Sequence, residues 1–210
     1  MPGGPVTDVA DVAVPGWFGK LPGIGDFAHR RWPDAFRARW DDWLQQGLMK
    51  LRERHEDDWV ERYLEGPLWF FLLGQDIASE RAWIGVLMPS VDSVGRYFPF
   101  TIAAELDALA GLSEDEASAR MRKWWTLAAQ AALEGLEKDL DAAGFDAALT
   151  RLFAAEAPVS ESMQPVRVPR SGQSSWCSDP DAHEVLPMVV AELPVGERFD
   201  ALFGFEAEAA

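Results

Sequence analysis

Gly85-Val86-Leu87-Met88-Pro89-Ser90-Val91-Asp92-Ser93-Val94-Gly95-Arg96-Tyr97-Phe98-Pro99 sets two apolar arms around a polar middle. The first arm, with Trp83 and Ile84 before it, is β-prone; so is the second, which continues through Phe100, Thr101 and Ile102. Pro89 to Arg96 is compact and polar, and Gly95 is free to take positive φ. The pattern predicts two antiparallel strands joined by an ordered loop. Ser90, Asp92, Ser93 and Arg96 can all form hydrogen bonds there. An Asp92–Arg96 pair is expected to tie the loop. A polar loop held between two core strands is where binding or catalytic groups are often carried.

Working outward, Trp17–Leu21 reads as a short strand, Pro22–Asp26 as a turn and Phe27–Arg31 as extended chain. Pro33 opens a helix to about Arg54, since its missing N–H costs nothing in a first turn. Phe36, Trp40, Trp43, Leu44, Leu48 and Leu51 form its apolar stripe. A shorter helix, about Asp57–Leu64, is expected to bury Trp59, Val60, Tyr63 and Leu64, and Gly66-Pro67 ends it. Leu68–Leu73 is an apolar run of strand length. Ser113-Glu114-Asp115-Glu116 has capping-box spacing and starts a long helix to about Leu140. Its buried side is Met121, Trp124, Trp125, Ala128, Ala132 and Leu136, and Gly144 is read as the stop. A helix at Phe145–Ala155 follows, then a Pro- and Ser-rich loop to Gln173. Ser174–Cys177 and Val185–Leu193 are two late strands, with Pro187 placing the second at an edge. Phe199–Phe203 forms a last helical turn. Residues 1–14 read as a flexible lead-in, 15–205 as one domain and 206–210 as an acidic tail. Strands early and late, with long amphipathic helices between, predict an α/β domain with a mixed, largely antiparallel sheet covered by helices on both faces.

The chain has 210 residues, enough for a full core, and an unusual ten Trp against two Tyr. It carries 19 basic and 35 acidic residues, a net charge of −16. That balance disfavours nucleic acid, whose binding neutralises phosphates with Lys and Arg, and disfavours anionic membrane surfaces. A protein partner with a basic patch fits better. Cys177 is the single cysteine, so no internal disulfide forms and a reducing compartment is expected. The start lacks a basic region and an apolar core, and no apolar run is long enough to span a bilayer. A soluble, cytoplasmic protein is the expectation.

Gly23-Ile24-Gly25-Asp26-Phe27-Ala28 matches G-x-G-x-x-A, but the helix starts only near Pro33, so a plain glycine turn is favoured over a dinucleotide fingerprint. Gly16-Trp17-Phe18-Gly19-Lys20 lacks the spacing and the hydroxyl of a phosphate loop. No metal, cofactor or catalytic residue is assigned. Asp179, Asp181 and His183 alternate like ligands, yet a solvated acidic turn looks the same and is preferred. Ser90 could be placed in a hydrolase triad only with partners the sequence does not indicate. Cys177 reads as inert filling. Lys20, Asp26, Asp92 and Arg96 are left as the charged residues of the most distinctive strings. Two readings stand side by side: local pairs that fix turns, or one polar patch at one end of the sheet.

Gly16-Trp17-Phe18-Gly19-Lys20-Leu21-Pro22, Gly25-Asp26-Phe27, Trp40-Asp41-Asp42-Trp43-Leu44 and Met88 to Pro99, in this order and spacing, resemble the TagF/ImpM family of type VI secretion-associated proteins. The resemblance is strong over residues 15–105, and architectural beyond, with Ser175-Trp176 as a late echo. It implies a three-layer α/β/α sandwich and a cytoplasmic accessory protein without enzymatic activity. It further implies a post-translational repressor of a bacterial type VI secretion system that binds the system's forkhead-associated scaffold protein. Lys20, Asp26, Ser90, Asp92 and Arg96 then mark the partner-binding edge or the scaffolding beneath it. The alternatives are a structural accessory of the secretion apparatus, or a hydrolase with its site near residues 89–96.

Overall fold

The computed structural model describes residues 14–106, 109, 111–155, 165–182 and 186–205. The elements run β1 (Gly16–Gly19), β2 (Ala28–Arg30), α1 (Asp34–Arg54), α2 (Trp59–Glu65), β3 (Trp69–Leu73), β4 (Trp83–Met88), β5 (Phe100–Glu105), α3 (Glu114–Glu137), α4 (Ala142–Phe153), β6 (Gln173–Cys177), β7 (Met188–Ala191) and α5 (Glu197–Ala201). The strands form one seven-stranded sheet in the order β2-β1-β5-β4-β3-β6-β7. The expected hairpin is its centre: β4 and β5 pair from Trp83↔Glu105 to Met88↔Phe100. The second arm starts later than expected, at Phe100. Tyr97 instead makes an isolated bridge to Val91 inside the loop, and Pro99 has no N–H to offer the ladder. Every strand pair is antiparallel, so the expected mixed sheet is corrected to a purely antiparallel one among the described strands.

α1 buries Phe36, Trp40, Leu44, Leu48 and Leu51, the predicted stripe, with Trp43 only partly covered. Pro33 sits just outside as the N-cap residue, its carbonyl accepting from Arg37 N–H. In α2 only Tyr63 is buried, and Leu64 is exposed, against expectation. α3 begins with both bonds of the capping box between Ser113 and Glu116. Its end is where the expectation fails. Gly144 does not stop a helix; it lies inside α4, donating its N–H to the Asp141 cap. The break comes earlier, at Asp139, whose φ is 48°. The Asp141 cap competes locally with helix continuation, an effect composition alone does not rank. β7 is shorter than predicted, because Glu192 takes φ 56° and ends it.

Side chains of successive residues alternate between two separate hydrophobic clusters. Phe18, Phe71, Leu73, Trp83, Leu87 and Trp176 pack with Phe36, Trp40 and Leu44 of α1 and Phe199 of α5. Trp17, Leu72, Ile84, Val86, Phe100 and Ile102 pack with Trp125 and Ala128 of α3 and Phe145 of α4. The indole N–H groups are anchored: Trp40 donates to Thr101 Oγ1 at 3.0 Å and Trp125 to the Gly85 carbonyl at 3.1 Å. The loop between β4 and β5 thus leaves the middle of a sheet with a filled core behind each face.

Candidate functional site

The β4–β5 loop is organised by one carboxylate. Asp92 Oδ1 accepts from the N–H groups of Val94 (3.1 Å) and Arg96 (2.9 Å). Its Oδ2 accepts from Arg96 Nε at 2.7 Å and from Lys20 Nζ at 2.8 Å. Gly95, at φ 82°, supplies the left-handed step that brings Arg96 back over Asp92. The Asp92 carbonyl accepts from Gly95 N–H, and Asp92 N–H donates to the Arg96 carbonyl. The expected Asp92–Arg96 tie is present, but the stronger constraint is the partner from β1's end.

Lys20 enters from the β1–β2 connection and is buried against Asp92. Phe27 closes it off: the ammonium lies 4.6 Å from the Phe27 ring centroid. That ring stacks on Phe18 at 5.9 Å and stands edge-on to Phe98 at 4.7 Å. Gly23 keeps the connection tight, since a Cβ there would meet the Asp139 carbonyl oxygen at 2.0 Å. Arg96 reaches across to the same connection and donates to the Gly25 carbonyl at 2.5 Å. Asp26 is exposed, 3.9 Å from Arg96 Nη2, and adds little in high dielectric. Four of the five predicted residues therefore converge in one network of two loops.

Ser90 stands apart from it. Its backbone exchanges two hydrogen bonds with the Tyr63 hydroxyl, which donates to the Ser90 carbonyl and accepts from its N–H, both at 3.1 Å. Burial pushes the Tyr63 hydroxyl far above its usual range, so it stays protonated and can donate. Ser90 Oγ is buried with no hydrogen-bond partner among the described residues. Among the described residues, no His lies in this network.

The electrostatics describe a clamp. Burial acts to raise the Asp92 carboxyl, but hydrogen bonds from Lys20, from the Arg96 backbone and side chain, and from Val94 outweigh it. They hold Asp92 far below the ordinary carboxylate range. A carboxylate whose lone pairs are so occupied takes up no proton at neutral pH. What the arrangement does is fix two loops in register and turn apolar side chains outward. Phe27 and Val94 stand exposed on them. Phe98, itself buried, lines a shallow groove on α1 with Leu48, Met49, Arg52 and Tyr97.

A deeper pocket lies elsewhere, between α3, the 165–170 segment and the outer strands, with Trp125, Val168, Ser175, Cys177 and Val189 among its lining. None of the predicted site residues reaches it. Burial pushes the Cys177 thiol up to about 11, which keeps it protonated and unreactive. Asp181 binds Arg122 at 2.6 Å and Asp179 caps the Asp181 N–H. His183 lies outside the described residues. Among the described residues no group of three His, Cys, Asp or Glu is placed to hold a metal ion.

Sequence reasoning missed Phe27 and Tyr63. Phe27 carried one signal, its place directly after Gly25-Asp26. Tyr63 carried none, because its partner is the backbone of a residue 27 positions away.

The pairing of Lys20 with Asp92 links the first and last of the sequence strings noted above. Residues 16–152 match the family described as TagF N-terminal domain, type VI secretion system-associated. The chain belongs to this family. The TagF N-terminal domain match spans β1 through most of α4, and so contains the whole Lys20–Asp92–Arg96 network. The fold is also similar to the crystal structure of PA0076 from Pseudomonas aeruginosa PAO1. The TM-score is 0.72 at 28% identity, over 93% of this chain and 96% of that one. No curated protein matches the chain. Among the described residues, no helix of this TagF-family chain is long and apolar enough to cross a membrane.

Proposed function

We propose that the chain is a cytoplasmic regulator of a type VI secretion system, a post-translational repressor that binds the system's forkhead-associated scaffold protein. Family membership supports the association with the secretion system, and the resemblance noted in the sequence supplies the scaffold as partner. The observation that carries a binding role is the division of labour in the two loops. Lys20 and Asp92 turn inward and lock, with Arg96 lying over them, while Phe27 and Val94 face solvent on a rigid frame beside the α1 groove. Preorganised exposed aromatic and aliphatic groups suit a protein interface. On this reading the domain performs no chemistry, and the two helix-faced cores are the halves of an α/β/α sandwich.

Asp92 is a poor probe of such an interface, since reversing its charge would bury a third positive group beside Lys20 and Arg96. Phe27→Glu and Val94→Glu are better, being exposed. Each should weaken binding of the purified scaffold about tenfold or more. Val94→Glu should leave the unfolding midpoint nearly unchanged, whereas Phe27→Glu also removes the ring over Lys20 and should lower it. In cells, deleting the gene should raise secretion and overexpression should suppress it. No association at micromolar concentration, with secretion indifferent to overexpression, would sink the repressor reading. Recovery only in a stable stoichiometric assembly would favour a structural subunit.

A further inference from the structure

Leu72 of β3, Ser175 of β6 and Val189 of β7 stand in register as one row across the sheet. The row lies on the α3 face, next to Trp125, and it faces the segment 165–170 across a cavity of about 350 Å³. The middle position is a serine, a small side chain where a Leu would fill the space. The cavity is held open from both ends. At one end Ser118 Oγ of α3 accepts from the Val166 N–H at 3.0 Å and donates to the Val166 carbonyl at 3.3 Å. At the other end the Gln173 N–H donates to the Arg170 carbonyl at 3.0 Å. Gly74 lets β3 come against that carbonyl, since a Cβ there would meet its oxygen at 2.1 Å. A segment tied at both ends is kept from settling into the space beneath it, so the site is preformed. Its volume falls in the range of small-molecule sites, about 300–1,000 Å³.

The lining divides by chemistry along β6. Trp125, Leu72 and Val168 make an apolar middle. The indole is fixed there, donating to the Gly85 carbonyl at 3.1 Å and standing 5.8 Å from the Phe70 ring. At the start of β6 the lining is Gln173 and Arg170; at its end it is Cys177, Asp179 and Arg122. The three arginines at the cavity differ. Arg122 is buried and binds Asp181 at 2.6 Å, and Arg167 binds Glu114 at 2.6 Å. Arg170 is exposed and has no carboxylate partner among the described residues. The side chains of Gln173 and Ser175 likewise make no hydrogen bond there. One uncompensated guanidinium, one amide and one hydroxyl therefore stand together at the start of β6. Asp179, exposed at the far end, disfavours an anion on that side.

We propose that this cavity binds a small organic acid, a monocarboxylate with a flat or short-chain apolar body. The carboxylate sits at the start of β6, where Arg170 can donate two parallel hydrogen bonds and Gln173 and Ser175 can add to them. The apolar body lies against Trp125, Leu72 and Val168. The reverse orientation would set the carboxylate beside Asp179. This site is separate from the Lys20–Asp92 network and from the Phe27–Val94 face, and it stands whether or not the scaffold proposal does.

The test uses the full chain with cinnamate and octanoate as probes, read by titration calorimetry and by NMR shifts of the backbone amides and indole N–H groups. Expected is saturable binding that weakens with salt, with shifts at Ser175, Cys177 and the Trp125 indole. Cinnamamide, the uncharged isostere of cinnamate, should bind at least about tenfold more weakly. Arg170→Gln should cost about tenfold in affinity for cinnamate and leave the unfolding midpoint unchanged, because the residue is exposed. Ser175→Leu should fill the cavity and abolish binding, and Ser175→Val serves where the leucine variant does not fold. Absence of saturable binding of both acids up to about 1 mM overturns the proposal. So does binding whose shifts fall elsewhere on the chain, or which is indifferent to the Ser175 variants. Equal binding of cinnamamide, or indifference to Arg170→Gln, overturns the placement of the acid group. Binding that appears only when residues 156–164 are replaced by a Gly-Ser linker would assign the cavity to that segment of the chain and overturn the ligand.

Discussion

Lys20 Nζ lies 2.8 Å from Asp92 Oδ2, both side chains closed to solvent, though 72 residues separate them. Two buried opposite charges are costly to desolvate, and the pair holds only because Arg96 and two backbone N–H groups satisfy the rest of the carboxylate. Removing one partner is therefore worse than removing both. Lys20→Met should lower unfolding free energy by about 3–5 kcal/mol, measured by urea denaturation. Lys20→Met combined with Asp92→Asn should recover part of that loss. Additive losses in the double variant would show that the two residues are not coupled.

The same pair predicts an acid sensitivity. The Asp92 carboxyl is depressed in the folded chain relative to its ordinary 3.8. Its stabilisation is thus complete above that value and is lost as the pH falls below it, toward the folded value. The wild-type chain should lose more stability than Asp92→Asn as the pH falls from 4 to 2. Parallel stability–pH curves for the two proteins would contradict the geometry.

Trp40 should matter more than its neighbours on the helix and beyond. It is 1% exposed and hydrogen-bonded to Thr101, whereas Trp43, Trp59 and Trp124 are only partly buried. Trp40→Ala is expected to cost about 3–5 kcal/mol, and Trp40→Phe about 1–3 kcal/mol from the orphaned threonine hydroxyl. Trp59→Ala should cost less than Trp40→Ala. Equal midpoints for the two alanine variants would refute the burial argument.

Cys177 should be slow to alkylate. With its thiol raised to about 11, iodoacetamide at pH 8 should modify it at least about tenfold more slowly than an unfolded cysteine near 8.5. Mass spectrometry with and without urea gives the comparison. Rapid labelling of the folded chain would mean a thiolate that the structure does not support.

The α3–α4 break should depend on a side chain rather than on Gly144. Asp141→Ala removes the cap to Gly144 N–H, 2.7 Å long, and should cost about 1 kcal/mol. Gly144→Ala should be milder, because that residue is helical and a Cβ there meets nothing closer than 3.1 Å. A larger loss for Gly144→Ala would restore the glycine as the helix stop.

Local physics was written plainly in the chain. The Ser113–Glu116 capping box, the α1 stripe from Phe36 to Leu51 and the β4–β5 hairpin each need only residues a few positions apart. The Asp92–Arg96 tie lies within that range, and so does the positive φ of Gly95. What needed the tertiary structure were contacts between distant segments. Nothing in the spacing says that β6 pairs with β3 about a hundred residues earlier, or that every strand pair is antiparallel. Nothing local says that Tyr63 holds the Ser90 backbone, that Phe27 covers Lys20, or that Asp139 rather than Gly144 breaks the helix. Hydrogen bonding and side-chain periodicity act over one turn or one pleat and so leave a trace in order and spacing. Burial of charge depends on which segments the whole sheet brings together, and only the folded chain decides that.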